Sequence, residues 1–445
     1  MVDKNFEKAV RLDEGKCIGC TSCIRRCPTA AIRVRNGKAT IRKEFCIDCG
    51  ECIRICDQHA KVATYDPVFM LKDFEYKVAL PDPALYGQFN NLDDPNILLT
   101  ALKKFGFDDV YEVGSAAEIV SQLTREYIKE HREEWPLIST ACPSVTRLIR
   151  IRFPNLINHL LPLKSPVELG ALIARRKAMK KTGLPSEKIG IFFISPCAAK
   201  VSSCRAPLTL DHCDVDVVLA IKDIYQRILP FMNDAALKPE DLAAAGRIGI
   251  GWGLSSGEAS GLLTDNYLAA DGIENIIKVL EDLEDQKLPK LQFIELNACS
   301  GGCVGGVLTV ENPYVAQVKI KRLNRYLPIT RTHGAAAGIG NWDHGIEFEP
   351  VFQLGKDRRE SVMIMTKINK IYSMLPRIDC GACGAPSCHH MAIDIVMKDI
   401  KMNECIYLTK ENQAKTIERL QKELETLEGR RVEDASEEED RGGIQ

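Results

Sequence analysis

The chain has 445 residues, 45% hydrophobic and 27% charged, enough to bury more than one core, and its 59 Lys and Arg against 61 Asp and Glu leave a net charge of −2. That balance offers no basic surface for nucleic acid or an anionic membrane, and no run of about 18 uncharged apolar residues occurs in the sequence. The first residues, MVDKNFEKAVRLDEGK, hold no apolar signal segment, so the expected location is the cytoplasm, where 18 cysteines point to metal sites rather than disulfides.

The first element is a repeat. Cys17, Cys20, Cys23 and Cys27 recur as Cys46, Cys49, Cys52 and Cys56, each displaced by 29 positions, and each half reads C-x2-C-x2-C-x3-C. The spacing resembles that of bacterial two-cluster ferredoxins, in which the fourth Cys of each run serves the other half's cluster. The expected sets are therefore Cys17, Cys20, Cys23 and Cys56 for one cubane, and Cys46, Cys49, Cys52 and Cys27 for the other. The first run ends in Pro28 as that motif expects, whereas the second has Asp57, a change in the turn after the last ligand. A pair of zinc ribbons would want C-x2-C pairs separated by a longer loop. An α+β module with two [4Fe–4S] clusters is expected over residues 1–75.

From about Tyr76 the texture becomes apolar runs of four to six residues alternating with helical patterns at Asn96 to Phe105, Ala116 to Glu130 and Pro166 to Lys181. This alternation predicts an α/β domain with largely parallel sheets over 76–365. Three of its apolar runs end alike, in Ala141-Cys142-Pro143, Ser195-Pro196-Cys197 and Asn297-Ala298-Cys299. Ligands gather beyond the carboxyl ends of parallel strands, so these cysteines and Cys303 are expected to converge. Cys142 and Cys197 sit beside Pro, Cys303 beside Gly and Cys299 within two residues of Gly, where backbone amides can face an anionic cluster, and the glycines around Cys303 permit close approach. Any one of them alone would more often be an ordinary buried Cys.

Residues 366–410 carry Cys380, Cys383, Cys388 and Cys405 in a C-x2-C-x4-C-x16-C pattern, a third four-cysteine site in a small helical domain. His389 and His390 add nothing to a complete set and read as packing or surface residues. Cys204 and Cys213 alone are left without a role. Over 411–445, Ile417, Leu420, Leu424 and Leu427 repeat at helical spacing with Glu411/Lys415 and Glu418/Lys422 pairs alongside, predicting an amphipathic helix of about two heptads. The acidic stretch from Gly429 is expected to be a disordered tail.

The three strand-end loops, STACPS (139–144), SPCAAK (195–200) and ELNACSGGCVGG (295–306), resemble those that mark the catalytic domain of the iron-only, or [FeFe], hydrogenases. The resemblance covers nearly all of residues 10–310 and implies a two-lobed H-cluster domain. It implies that Cys142, Cys197, Cys299 and Cys303 ligate a fourth cubane, that Cys303 also bridges to a two-iron unit with CO, cyanide and dithiolate ligands, and that Lys200 donates to a cyanide. It further implies reversible splitting of H2 with electrons leaving through the cubanes, a redox partner such as ferredoxin, and maturation proteins that supply the two-iron unit. Trp252 and Gly253, in WGLSSGEA, match an aromatic-Gly segment lining the two-iron site. That match accounts for Gly253-Leu254-Ser255-Ser256-Gly257 better than a hydrolase nucleophile elbow, for which no Asp and His can be placed.

Several positions depart from the family pattern. Ala141 stands where a relay cysteine is usual, Ser195 and Asn297 where methionines face the two-iron unit, and Ser203 where a relay glutamate is usual. A methyl group carries no proton. Every ligand is kept while proton delivery is altered, which resembles the sensory branch of the family, with slow turnover and a hydrogen or redox signal passed to a partner or a second copy through the C-terminal helix. Glu258, in the WGLSSGEA segment, and Glu295, four residues before Cys299, are the expected substitute relay groups. The alternatives are a non-catalytic hydrogenase-like iron–sulfur assembly factor and an electron-transfer module.

Overall fold

The computed structural model describes residues 8–288, 290–332, 338–351 and 353–441, with side chains as far as Glu428. The chain forms two compact units. One holds the described parts of Met1–Ile18, Arg26–Ala31 and Ile41–Phe352, and the other those of Gly19–Arg25, Ile32–Thr40 and Gln353–Gln445. Among the described residues no helix is long and apolar enough to cross a membrane.

Four short strands belong to the cysteine repeat: β1 (Val10–Leu12), β2 (Ile32–Arg35), β3 (Lys38–Ile41) and β4 (Lys61–Ala63). β1 pairs antiparallel with β4, and β2 pairs with β3 across Asn36-Gly37. Both turn residues have positive φ, 51° and 73°, the conformation a tight two-residue hairpin requires.

The larger unit is built on two parallel sheets. β5 (Tyr76–Pro81), β6 (Asp109–Val110), β8 (Ile189–Ser195) and β9 (Val217–Ala220) form one in the order β6-β5-β8-β9, while β7 (Leu137–Ile138), β10 (Tyr267–Asp271) and β11 (Phe293–Asn297) form the other in the order β10-β11-β7. Every residue of β8, IGIFFIS, is buried, as expected of a central parallel strand covered on both faces. Phe192 and Ile194 pack with Leu98, Leu99 and Leu102 of the helix Pro95–Phe105 and with Ile224 and Ile228 of Ile221–Leu237. Around the second sheet, Ile294 and Leu296 meet Val145, Leu148 and Ile149 of the helix Pro143–Arg152 and Ile276 and Leu280 of Ile273–Glu284.

These helices start where the sequence marks them. Pro166–Thr182 has a capping box between Ser165 and Glu168, Pro166 in its first turn and Gly183 in the left-handed region at its end. Cys142 and Cys197 are themselves the N-cap residues of Pro143–Arg152 and Ala198–Arg205. The strand–cysteine–helix order therefore delivers both thiols to sheet ends where helix N-termini present free N–H groups.

The smaller unit packs Ile368, Leu375, Met391, Ala392 and Ile400 with Cys388 and Cys405, drawing on the helices Arg358–Met374 and Cys388–Val396. It begins at Gln353 rather than 366, and it takes in β2 and most of β3 from the cysteine repeat. Asp394, fully buried, accepts from Arg33 Nε at 2.6 Å and Arg35 Nη2 at 2.7 Å. Val34 N–H donates to Gly384 O at 2.9 Å, and a Cβ on Gly384 would lie 1.9 Å from Val34 O, so only glycine admits this approach. The last helix runs over Ile406–Arg441, so the tail expected to be disordered from Gly429 is helical as far as Arg441. One glycine costs a helix about 1 kcal/mol and does not by itself end one.

Candidate functional site

Beyond the strand ends of the larger unit lies a small cavity. Ala141, Lys200, Trp252, Glu258, Glu295, Asn297 and Cys303, all singled out from sequence, line it together with Asp82, Ser165 and Val167. Two other expected contacts do not. Ser195 is fully buried with its hydroxyl donating to Cys197 O at 3.0 Å, and Gly253 packs on the Pro83–Ala84 backbone, where a Cβ would lie 3.0 Å from Ala84 N.

Cys303 lines this cavity, and Cys142, Cys197 and Cys299 are electrostatically coupled to it or to one another. Burial first, and then the charge of Cys299, raise the Cys197 pKa to about 12, with Cys142 adding to the effect. Burial likewise drives Cys303 well above the thiol range, opposed by Lys200 and reinforced by Asp82, Cys197 and Cys142. Thiols this costly to ionise in the bare protein want a cation to ionise against. Backbone N–H groups already point at them: those of Ala298, Val145 and Ser144 at Cys142, and that of Lys200 at Cys197. Buried, mutually coupled thiols, two of them with amide donors, match the ligand chemistry of a [4Fe–4S] cluster, so the residues fit the group.

A second convergence lies in the same unit. Burial drives the Cys49 thiol well above its usual range, and Cys27, Cys52 and Cys46 push it in the same direction, which is the crossed set expected from the repeat. Ala31 N–H donates to Cys27 Sγ at 3.2 Å. In the smaller unit, burial raises Cys383, and Cys380 and Cys405 contribute.

Lys200 Nζ reaches Asp82 Oδ2 at 2.6 Å and Cys303 Sγ at 3.6 Å. Burial alone would lower its pKa, but the charges of Asp82, Cys303 and Cys197 outweigh it and hold the ammonium protonated. Sequence reasoning missed Asp82. Its signal was position: it follows β5, which pairs with β8 in the sheet whose carboxyl end carries Cys197.

Glu258 and Glu295 form a buried pair, 5% and 2% exposed. Burial, then repulsion from Glu295, raises Glu258, and burial raises Glu295 against the pull of its hydrogen bonds from Ala259 N, Asn297 and Ser256 N. Those donors lie at 2.8, 2.6 and 2.9 Å. Ser139, also missed from sequence, donates its hydroxyl to Glu258 Oε2 at 2.5 Å and accepts from Ala141 N–H at 3.2 Å. A hydrogen-bonded line thus runs from the Ala141 backbone to a carboxyl that favours its protonated form. Cys204 is buried, and a hydrogen bond with Cys213 is the first cause that raises its pKa.

Comparison with known proteins agrees with this chemistry. The family model for the iron only hydrogenase large subunit, C-terminal domain, matches residues 75–247 and 255–307, more than half of the chain. A 4Fe-4S dicluster domain matches 9–57, and an Fe-S cluster model matches 375–407. The NADP-reducing hydrogenase subunit HndD of Solidesulfovibrio fructosivorans is 23% identical over 67% of this chain, which spans 56% of that relative's length. The periplasmic [Fe] hydrogenase large subunit of Nitratidesulfovibrio vulgaris is 25% identical over 67% of this chain and 85% of its own. The cytosolic Fe-S cluster assembly factor nar1 of Emericella nidulans is 31% identical over 110 residues, 23% of this chain and 19% of that one. Cysteine sets, parallel-sheet scaffold and family model agree, and the chain belongs to the iron-only hydrogenase large-subunit family.

Proposed function

We propose that the chain is an [FeFe] hydrogenase of low turnover that serves as a sensor of hydrogen or redox state. The observation that carries the reading is the cavity in which Cys303 and Lys200 face a buried carboxyl pair while the methyl of Ala141 occupies the relay position. When bound, a two-iron unit with CO, cyanide and dithiolate ligands would supply the making and breaking of H2. Cys142, Cys197, Cys299 and Cys303 would hold the adjoining cubane, with Cys303 shared.

Lys200 has three N–H donors; one serves Asp82 and one points toward Cys303, which leaves one for a cyanide. Glu258 and Glu295 hold a proton near neutral pH because two buried carboxylates side by side resist ionising together. Ser139 ties Glu258 to the Ala141 backbone, which passes no proton, so Glu258 and Glu295, which line the cavity themselves, are left as the relay groups in place of a thiol, and turnover is slow. Cys27, Cys46, Cys49 and Cys52 would carry electrons between the site and a ferredoxin-like partner, and Cys380, Cys383, Cys388 and Cys405 would hold a cluster of the smaller unit. The C-terminal helix, whose Ile417, Leu420, Leu424 and Leu427 are exposed, would carry the signal to a partner or a second copy.

A second reading, a cluster-only assembly factor, is favoured by the Asp82 carboxylate beside Lys200, which offsets the cation an anionic unit would use, and by the partial likeness to nar1. Infrared spectroscopy of anaerobically matured protein decides between them. Bands in the CO and cyanide stretching region are expected; their absence from protein with a full complement of cubane iron would establish the second reading.

A further inference from the structure

We propose that Arg54 and Arg147 form a cationic bridge between the cluster held by Cys27, Cys46, Cys49 and Cys52 and the cluster held by Cys142, Cys197, Cys299 and Cys303, raising the reduction potentials of both. The proposal rests on reading those cysteines as cubane ligands. All eight and both arginines belong to the larger unit.

Arg54 ends the short helix Glu51–Arg54, inside the second cysteine run. Its Nη1 donates to Cys49 O at 3.4 Å and pairs with Glu51 at 2.7 Å, while Nη2 donates to Gly305 O at 2.5 Å, two residues beyond Cys303. One guanidinium thus touches the backbone of both cysteine loops, and the Cys299 and Cys49 sulfurs both act on it. The loops meet closely. Gly50 has φ 79°, and a Cβ there would lie 2.5 Å from Val307 Cγ1.

Arg147 approaches from another helix, Pro143–Arg152, whose N-cap is Cys142. It is 6% exposed, and among the described residues its Nη1 finds no hydrogen-bond acceptor. It pairs with Asp48 Oδ2 only at 3.5 Å. Asp48 lies between Cys46 and Cys49 and is already engaged by Val10 N–H at 3.0 Å and the Ser202 hydroxyl at 2.8 Å. A buried guanidinium with an unsatisfied donor is costly unless an anion completes it. After Asp48, both Cys46 and Cys197 act electrostatically on Arg147, one from each cysteine set, so a cluster in each set would supply an anion to complete it. Net charge and hydrogen bonds to the sulfurs set the potentials of such clusters, and a cation between two of them favours the reduced, more negative state of each.

The test uses the full chain, reconstituted anaerobically with iron and sulfide, in a redox titration followed by electron paramagnetic resonance. The parent must show reducible cubanes in both sets, identified by their loss in Cys49→Ser and Cys299→Ser; absence of either overturns the ligand reading itself. Arg54→Gln and Arg147→Gln are each expected to shift the reduction equilibrium of both clusters at least tenfold toward the oxidised form, 59 mV lower for a one-electron couple, with Arg147→Lys recovering most of the shift. Potentials at the parent values in Arg54→Gln and Arg147→Gln with iron content intact overturn the bridge. If Arg147→Gln loses iron, Arg54→Gln and Arg147→Lys carry the test, and a parent-like potential in Arg54→Gln overturns it.

Discussion

Replacing Glu258 with Gln perturbs the buried carboxyl pair at one atom. In the folded chain burial and the neighbouring Glu295 raise Glu258 from 4.5 to about 8, whereas the unfolded chain titrates it at the ordinary value. Between those pH values the folded state holds a proton that the unfolded state has released, so stability falls as pH rises. The contribution is fully present below 4.5 and is lost as pH passes through about 8. At about 1.4 kcal/mol per pH unit, the loss reaches about 3 kcal/mol at pH 7 and about 5 kcal/mol above pH 8. Gln is neutral throughout and its carbonyl still accepts from Ser139. Glu258→Gln is therefore expected to gain about 2 to 3 kcal/mol on the parent between pH 5 and pH 7, read from urea unfolding of anaerobically reconstituted protein in that range. In matured protein the same change should slow hydrogen production by about 100-fold or more, as loss of a positioned acid does, while the CO and cyanide bands persist. Parallel stability curves for parent and variant, with turnover unchanged across pH, would refute both the buried shared proton and its part in the reaction.

Two further outcomes are expected. A fully matured chain should carry about 18 iron atoms, from four cubanes and a two-iron unit, and a plateau near half that value in chemical iron analysis would remove at least one cluster site. Asp394→Asn should destabilise the smaller unit by about 3 to 5 kcal/mol, because it leaves the buried Arg33 without the charge that compensates it. Hydrogen exchange over Ile32–Arg35 and Cys388–Val396 reports this directly, and protection equal to the parent's would contradict the ion pair's importance.

The cysteine runs of the repeat and of the C-terminal motif were legible in the sequence because each places one residue type at short local spacings, and the parallel sheets because buried strands and amphipathic helices alternate visibly. What escaped was pairing at long range. Asp82 lies 118 positions from Lys200, and Ser139 lies 119 from Glu258, so neither hydrogen bond leaves a local pattern. Ser195 was expected to face the cofactor because it stands where the family pattern has a methionine, but the last residue of this buried strand turns back to cap the cysteine loop, and its hydroxyl bonds Cys197. A charge-rich stretch reads as unstructured by composition, yet the helix Ile406–Arg441 runs through Gly429.

The ion pair between Arg33 and Asp394 spans 361 positions of sequence, which has a consequence in time. At a synthesis rate of about 5–20 residues per second, the hairpin of β2 and β3 leaves the ribosome roughly 20–70 s before its carboxylate partner exists. Two short strands alone are marginal in water, so throughout that interval the segment has no core to join. Cys20 and Cys23 lie in Gly19–Arg25, a stretch of the same unit. Early in translation these two cysteines therefore belong to an unfinished fold, because most of their unit lies from Gln353 onward.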